Sequence, residues 1–275
     1  MIPKQSTGEG RRDPRVTEPE LVSADAISEP ERFARAPIVE AALVVNATMK
    51  NQVDQEKLAS FQERLESRYP GKQVRMSWSG QWQFRPDTPP VAKTATEGAV
   101  GYLFTSPDGK QIVQARKDGF AFSRLQPYQD WKTFRREAAD LWTRYVAHIQ
   151  PHKIERIALR YINRIELPLP LHDLKDYVLT GPELAPGIPQ KLSTFFFRAI
   201  VPLEQDGAFA SITETIAEDD TSKGVLPLIL DIDVFRMGAF PLQVEKLFPY
   251  FDGLRNLKNL LFFNTLTDKT KALFR

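Results

Sequence analysis

The sequence predicts an α+β fold in which one continuous antiparallel sheet carries long helices on one of its faces. Several segments alternate apolar and polar residues, which is typical of half-buried strands. The order of strand and helix patterns in the first half recurs in the second, so that each half reads as β-α-β(3–4)-α. We therefore expect two pseudo-repeated units, residues 34–150 and 151–275, side by side in one compact domain.

The first unit begins with a strand, APIVEAALVVNATM, because its odd positions are apolar from Val39 to Ala47. Residues at helical spacing then predict a helix that ends at Pro70-Gly71: Leu58, Phe61, Leu65 and Tyr69. The segment VRMSWSGQWQF alternates as a strand, and the turns PDG and KDG separate shorter strands after it. An amphipathic helix closes the unit with the apolar stripe Trp131, Phe134, Ala138, Leu141, Trp142, Tyr145 and Ile149.

The second unit opens with the strand KIERIALRYINRIELP, residues 153–168, whose odd positions are mostly aliphatic. A short helix is expected in LHDLKDYV. Three strands and two closing helical segments follow: QKLSTFFFRAIVPL, FASITETIAE, GVLPLILDIDVFRM, PLQVEKLFPYFDGLRNLKNLLFFNTL and TDKTKALF. Two-repeat saddle folds related to the TATA-binding protein share this order of elements, an analogy of fold that does not fix function.

Residues 1–33 are polar, charged and interrupted by prolines, so they predict a flexible tail or a strap that lies on the domain. The net charge of +2 gives no overall attraction to nucleic acid. The absence of cysteine excludes disulfides, thiolate zinc sites, iron–sulfur clusters and cysteine nucleophiles. No apolar run reaches the roughly 20 residues of a membrane helix, and no secretory leader is recognisable. We expect a cytoplasmic protein without membrane contact.

Three arginines recur at every fourth position of the strand 153–168, on the face opposite its aliphatic residues. Successive members of this row, Arg156, Arg160 and Arg164, would lie about 13 Å apart, which is too far for one small anion. Such a row suits a polymer or several separate ion pairs. Arg75 and Arg85, on the polar face of their own strand, would extend it. These five arginines are the candidate binding residues.

Asp231 and Asp233 project from one face of a later strand, roughly 7 Å apart. They could hold a magnesium ion for phosphoester chemistry, or they could pair with arginines of a neighbouring strand. The pairing is favoured because the same sheet supplies the partners. Arg160 and Arg164 then belong to an internal ladder of ion pairs, and Arg156, nearer the strand end, is the freer candidate for binding.

No motif predicts catalysis. The sequence contains no phosphate-binding glycine loop and no nucleophile elbow. Pro151 between His148 and His152 ends the helix and spoils the spacing of a metal-binding pair, and His172 stands alone. We expect no cofactor, and an enzyme is the less favoured class.

Four stretches carry a resemblance to a known family: APIVEAALVV, ERIALRYINRIELP, LILDIDVF and LKNLLFFNTLTDKTKALF. The chain resembles a sporadically distributed family of uncharacterised bacterial proteins of about this length. That family shares a Pro-Ile-x-Glu-Ala start, a central Arg-Tyr-x-Asn-Arg strand and a terminal Phe-x-x-x-Thr-Asp-Lys. The resemblance covers residues 37–275 and implies no catalytic residues, and its patchy distribution implies a mobile-element or defence-associated setting.

Three functions remain open. The first is a binding module that receives a nucleic acid or a protein on its sheet face or in a groove beside it. The second is a subunit of a larger assembly, with the last long helix as its interface. The third is a metal-dependent phosphoester enzyme that uses Asp231 and Asp233. The first two are favoured over the third.

Overall fold

A computed structural model describes residues 31–50, 53–85, 88–189, 192–217 and 224–275, with only the backbone described for residue 66 and residues 77–97. These residues form an α+β fold built on one antiparallel sheet of nine strands, in the order β2-β3-β4-β5-β1-β6-β9-β8-β7. The strands are β1 (Ile38–Met49), β2 (Gly71–Arg85), β3 (Thr88–Thr105), β4 (Gln111–Arg116), β5 (Gly119–Leu125), β6 (Pro151–Pro168), β7 (Phe196–Leu203), β8 (Ala208–Ile216) and β9 (Val225–Phe240).

Strands β1 and β6 form the centre of the sheet. They pair antiparallel over most of the length of β1, with Leu43 opposite Leu159. The four other strands that precede residue 150 lie beyond β1, and the three that follow β6 in the chain lie on its other side. The strands before residue 150 and those after it are therefore joined by the hydrogen bonds between β1 and β6.

The helices of the described residues are α1 (Gln55–Ser60), α2 (Trp131–Ile149), α3 (Val244–Thr265) and α4 (Asp268–Ala272). Helix α2 begins where the Asp130 side chain accepts a hydrogen bond from the Thr133 amide at 2.7 Å. It ends at Gln150, whose φ of 60° turns the chain into β6. This helix matches the predicted one, and every predicted stripe residue except the partly buried Trp131 is buried in it.

Two predicted helices are shorter than expected. The segment before Pro70 forms only the six-residue α1, followed by two 3-10 turns. Phe61 and Leu65 are still buried in this segment. The apolar spacing therefore predicted the burial correctly, but it did not require a continuous α-helix. The segment at 171–178 is a single 3-10 turn, Leu174–Asp176, because the chain then turns to pair Val178 with Leu266.

One cluster of buried side chains joins the long helices to the sheet, with members from α2, α3, β1, β5, β6 and β9. Trp142 is fully buried in it and donates its indole N–H to the Leu242 carbonyl at 2.9 Å. Tyr145 is also buried and donates its hydroxyl to the Gly119 carbonyl at 3.0 Å. The predicted alternation of β6 is found, with Ile157, Leu159 and Tyr161 in this core.

The expected N-terminal tail lies outside the described residues except for its last three. Of these, Glu31 accepts a hydrogen bond from Arg275 at 3.0 Å, and Phe33 packs against Phe263 and Phe274. Among the described residues, no helix is long and apolar enough to cross a membrane.

Candidate functional site

Arg156 was expected to be free of ion pairs because it lies near the strand end, but it is paired in the structure. Its Nη2 donates to the Asp233 Oδ2 at 2.9 Å, and its guanidinium lies 4.5 Å from the centre of the Phe235 ring. The residue directly opposite Arg156 in the sheet is Met237, so the side chain extends along β9, across Phe235, to reach the carboxylate. Arg156 is thus held by an ion pair and a ring contact together.

Arg160 makes the ion pair predicted for it, with a diagonal geometry. Asp233 stands directly opposite Arg160, yet the guanidinium donates to both oxygens of Asp231, with Nε at 2.8 Å from Oδ1. The hydrogen bonds to Asp231 raise the pKa of Arg160. The side chain remains 47% exposed. Both arginines therefore lean in the same direction along β9.

Arg164 lies near the carboxylate of Glu166 and not near the aspartates of β9 that were predicted as its partners. Its Nε lies 3.7 Å from the Oε1 of Glu166, which is two residues further along the same strand. The ladder between β6 and β9 therefore contains Arg156 and Arg160, and Arg164 belongs to the end of β6.

The ladder continues across the sheet through residues that sequence reasoning did not select. Arg156 donates to the Asn46 Oδ1 at 3.4 Å, and the Asn46 amide donates to Asp118 at 3.3 Å. Arg116 donates to both oxygens of Asp118, each at 2.7 Å. Asp118 stands in the KDG turn, which had been interpreted only as a turn. The polar network thus runs perpendicular to the strands.

Arg75 lies at the far end of the sheet, where its Nη1 donates to the Gln114 Oε1 at 2.9 Å. Burial, with a contribution from the charge of Arg116, lowers the pKa of Arg75. The side chain of Arg85, the last residue of β2, lies outside the described part of the chain. The four candidate arginines with described side chains are therefore not brought together at one point.

The two aspartates of β9 are engaged as hydrogen-bond acceptors. Arg160 occupies both oxygens of Asp231, and Arg156 occupies one oxygen of Asp233. The other oxygen of Asp233 is buried without a hydrogen-bond partner, and burial raises the pKa of this carboxyl. Within the described ranges, no group of three or more histidine, aspartate or glutamate residues could hold a metal ion. The arginines occupy most of the oxygens that magnesium would need.

Large apolar side chains stand beside the ladder on strands β7 and β8. Phe209 stacks on Phe235 with ring centres 5.5 Å apart, and Ile200 lies opposite Ser211, the neighbour of Asp233 in the sheet. Phe196 is 72% exposed and Ile200 is 58% exposed. The run Phe195-Phe196-Phe197 was visible in the sequence, but only the sheet register shows that Phe196 and Ile200 point away from the core.

We call the surface formed by Arg156, Arg160, Phe196, Ile200 and Phe209 the open face. A search with protein-family models finds no match to this chain, and neither does a search among curated protein sequences. The open face offers paired arginines and exposed apolar groups, which suit contact with a second surface better than contact with a single charged ligand.

The two ion pairs of the ladder are expected to differ in their contribution to stability. Replacing Arg156 with methionine should lower the free energy of unfolding by about 1–3 kcal/mol, because it leaves Asp233 unpaired and removes the contact with Phe235. The equivalent Arg160→Met should cost less, about 1 kcal/mol, because the Arg160 side chain is 47% exposed against 25% for Arg156, although Asp231 is only 15% exposed.

Urea denaturation of both variants measures this difference. The double variant Arg156→Met/Asp233→Asn serves as the control, since it should recover part of the loss by removing the unpaired carboxylate. Equal losses for the two arginine variants would contradict the assignment.

Proposed function

We propose that the protein is a non-enzymatic binding module that receives another protein on the open face. The observation that carries the proposal is the exposure of Phe196, Ile200 and Phe209 beside the ion-paired Arg156 and Arg160. Aromatic residues and arginine are enriched in the buried centres of protein interfaces. Ile200 and Phe209 lie on the neighbouring strands β7 and β8, and exposed apolar groups on neighbouring strands are typical of interaction sites.

The charge pattern favours a protein partner over a nucleic acid. A phosphate backbone binds through cations that release counterions, and this requires guanidinium groups free to meet phosphates. Three arginines of the sheet instead donate to carboxylates, Arg156 to Asp233, Arg160 to Asp231 and Arg116 to Asp118, while Arg198 donates to the Ser211 hydroxyl. A bound nucleic acid would have to approach these three carboxylates.

The sheet order supports the same proposal. If residues 34–150 and 151–275 are two related units, they join through the β1–β6 pair and build one sheet with the long helices α2 and α3 on one side. The opposite side then carries the ladder, and the described residues that contact its arginines come from the sheet and its turns. This arrangement leaves the open face available to a partner.

A photo-crosslinking amino acid at position 200 tests the proposal in the native host. We expect a covalent adduct with a protein, and we expect the adduct to disappear when Phe196→Asp is added. The matched control places the same amino acid at Leu179, which is also exposed but lies in the loop before β7.

The adduct is identified by mass spectrometry. A protein adduct specific to position 200, whether with another protein or with a second copy of this chain, supports the proposal. An adduct with nucleic acid, an equal adduct from position 179, or no adduct at all would overturn it.

A further inference from the structure

A large cavity lies at the end of β6, away from Arg156 and Arg160. Its volume is 1280 Å³, it is open to solvent on one side, and its lining comes from residues 31–39, residues 126–132, β6, helix α3 and residues 272–274. Its size is within reach of a small organic molecule. No residue of the open face lines it.

Lys258 of α3 is the most unusual residue of this cavity. It is only 8% exposed, and its Nζ lies 4.1 Å from the centre of the Tyr161 ring and 5.9 Å from that of Phe262. Among the described residues it makes no hydrogen bond and no ion pair. A buried ammonium group ordinarily has a carboxylate partner, because removing a charge from water is costly. In the described part of the chain, the ammonium group of Lys258 lies against these two aromatic rings.

The carboxylates of the cavity wall are engaged elsewhere. Glu31 binds Arg275, Asp130 caps helix α2, and Glu166 lies beside Arg164. Arg255, one helical turn before Lys258, lines the same cavity and has no ion pair among the described residues. The wall therefore holds two neighbouring cations with no anion of the described chain to balance them.

Aromatic rings face Lys258 and line the rest of the wall. The hydroxyls of Tyr128 and Tyr161 lie 2.8 Å apart, and Trp131, Phe262 and Phe263 complete the apolar part of the wall. Burial and the charge of Arg255 lower the pKa of Lys258 to about 7. Lys258 is therefore about half protonated at neutral pH, and an anion bound beside it would favour its charged form.

We propose that this cavity binds a small organic anion, whose carboxylate or phosphate group meets Lys258 and Arg255 and whose apolar or aromatic body lies against Tyr161 and Phe262. The anion supplies the charge that the wall lacks, and a buried charge-assisted hydrogen bond is among the strongest in proteins. The rings supply contact area for the body of the ligand. This site is separate from the open face, so its failure would leave the proposed function standing.

Calorimetric titration of the full chain tests the proposal with four probes: phenyl phosphate, benzoate, inorganic phosphate and the neutral benzyl alcohol. We expect at least one of the two aromatic anions to bind at least about tenfold more tightly than benzyl alcohol and inorganic phosphate. Tighter binding of phenyl phosphate identifies a phosphate ligand, and tighter binding of benzoate identifies a carboxylate ligand.

Two variants locate the site. Lys258→Met keeps the length and the packing of the side chain and should weaken binding of the preferred anion at least about tenfold. Lys246→Met removes an exposed lysine of the same helix and should leave binding unchanged. Thermal unfolding confirms that both variants are folded, and Arg255→Met serves as a second site variant if Lys258→Met is not. Failure of both anions to bind the native chain, or unchanged binding in the site variants, would overturn the proposal.

Discussion

Replacing Gly119 with alanine is expected to destabilise the protein by about 3 kcal/mol or more. Gly119 starts β5 opposite Asn46 of β1, where the two backbones approach closely. A Cβ atom at this position would lie 2.0 Å from the carbonyl oxygen of Val45, and the φ of +139° is one that residues with a side chain rarely adopt. The clash is with backbone, so relief requires separation of β1 from β5.

Gly109→Ala is the matched control for this variant. Gly109 also has a positive φ, +68°, but a Cβ atom added to it would have no other atom within 4 Å. It should therefore cost only the strain of the left-handed conformation, about 1 kcal/mol. Urea denaturation of both variants measures the difference. Similar losses in the two variants would show that the close approach of β1 and β5 contributes nothing beyond the backbone angle.

The second large effect is expected at Glu214, whose carboxyl group lies on the buried side of β8. The side chain is fully buried and accepts a hydrogen bond from the Thr180 hydroxyl, while its Oε2 has no hydrogen-bond partner. Burial raises the pKa of Glu214 to about 7, from an ordinary value of 4.5. The folded protein therefore holds a proton that the unfolded chain releases at lower pH.

The direction of the pH effect follows from this difference. Between pH 4.5 and about 7 the folded state binds more protons at Glu214 than the unfolded state, so this carboxyl makes stability fall as the pH rises. Glu214→Gln copies the protonated form at every pH. We expect this variant to be more stable than the native protein by about 3 kcal/mol above pH 7, and equally stable near pH 4.

Chemical denaturation at a series of pH values measures the effect, with the difference between variant and native protein isolating the one group. Glu204→Gln, at an exposed position of the turn between β7 and β8, should show no such difference. A constant difference for Glu214→Gln at all pH values would mean that the pKa of this carboxyl is the same in the folded and unfolded protein, which would contradict the prediction.

The elements that could be predicted are those in which the spacing of apolar residues along the chain shows which side is buried. The alternation in β6 and the apolar stripe of α2 each follow from a local period, and both are found in the structure. Helix α1 and the 3-10 turn at Leu174–Asp176 were overestimated in length because apolar spacing alone does not distinguish a helix from successive turns.

The ion pairs between β6 and β9 and the burial of Lys258 depend on contacts between distant parts of the chain, which the local spacing of residues does not predict. The aspartates of β9 could be matched with arginines of β6 by type, but the diagonal reach of Arg156 to Asp233 depends on the register of the two strands. Lys258 reads in sequence as an ordinary lysine on an amphipathic helix. Its burial depends on Tyr161 of β6, which is 97 residues earlier in the chain and reaches α3 only in the folded protein.

The common lean of Arg156 and Arg160 has a consequence for how β6 and β9 align. If β9 slid by two residues along β6, the aliphatic side chains would still face the core, because the side chains of a strand alternate with a period of 2. Burial of apolar surface therefore distinguishes such a slip only weakly. The slip would shift Asp231 and Asp233 together relative to both guanidinium groups. A slip that brought Asp231 directly opposite Arg160 would leave Asp233 two residues from the position opposite Arg156, so both ion pairs could also form in that alignment.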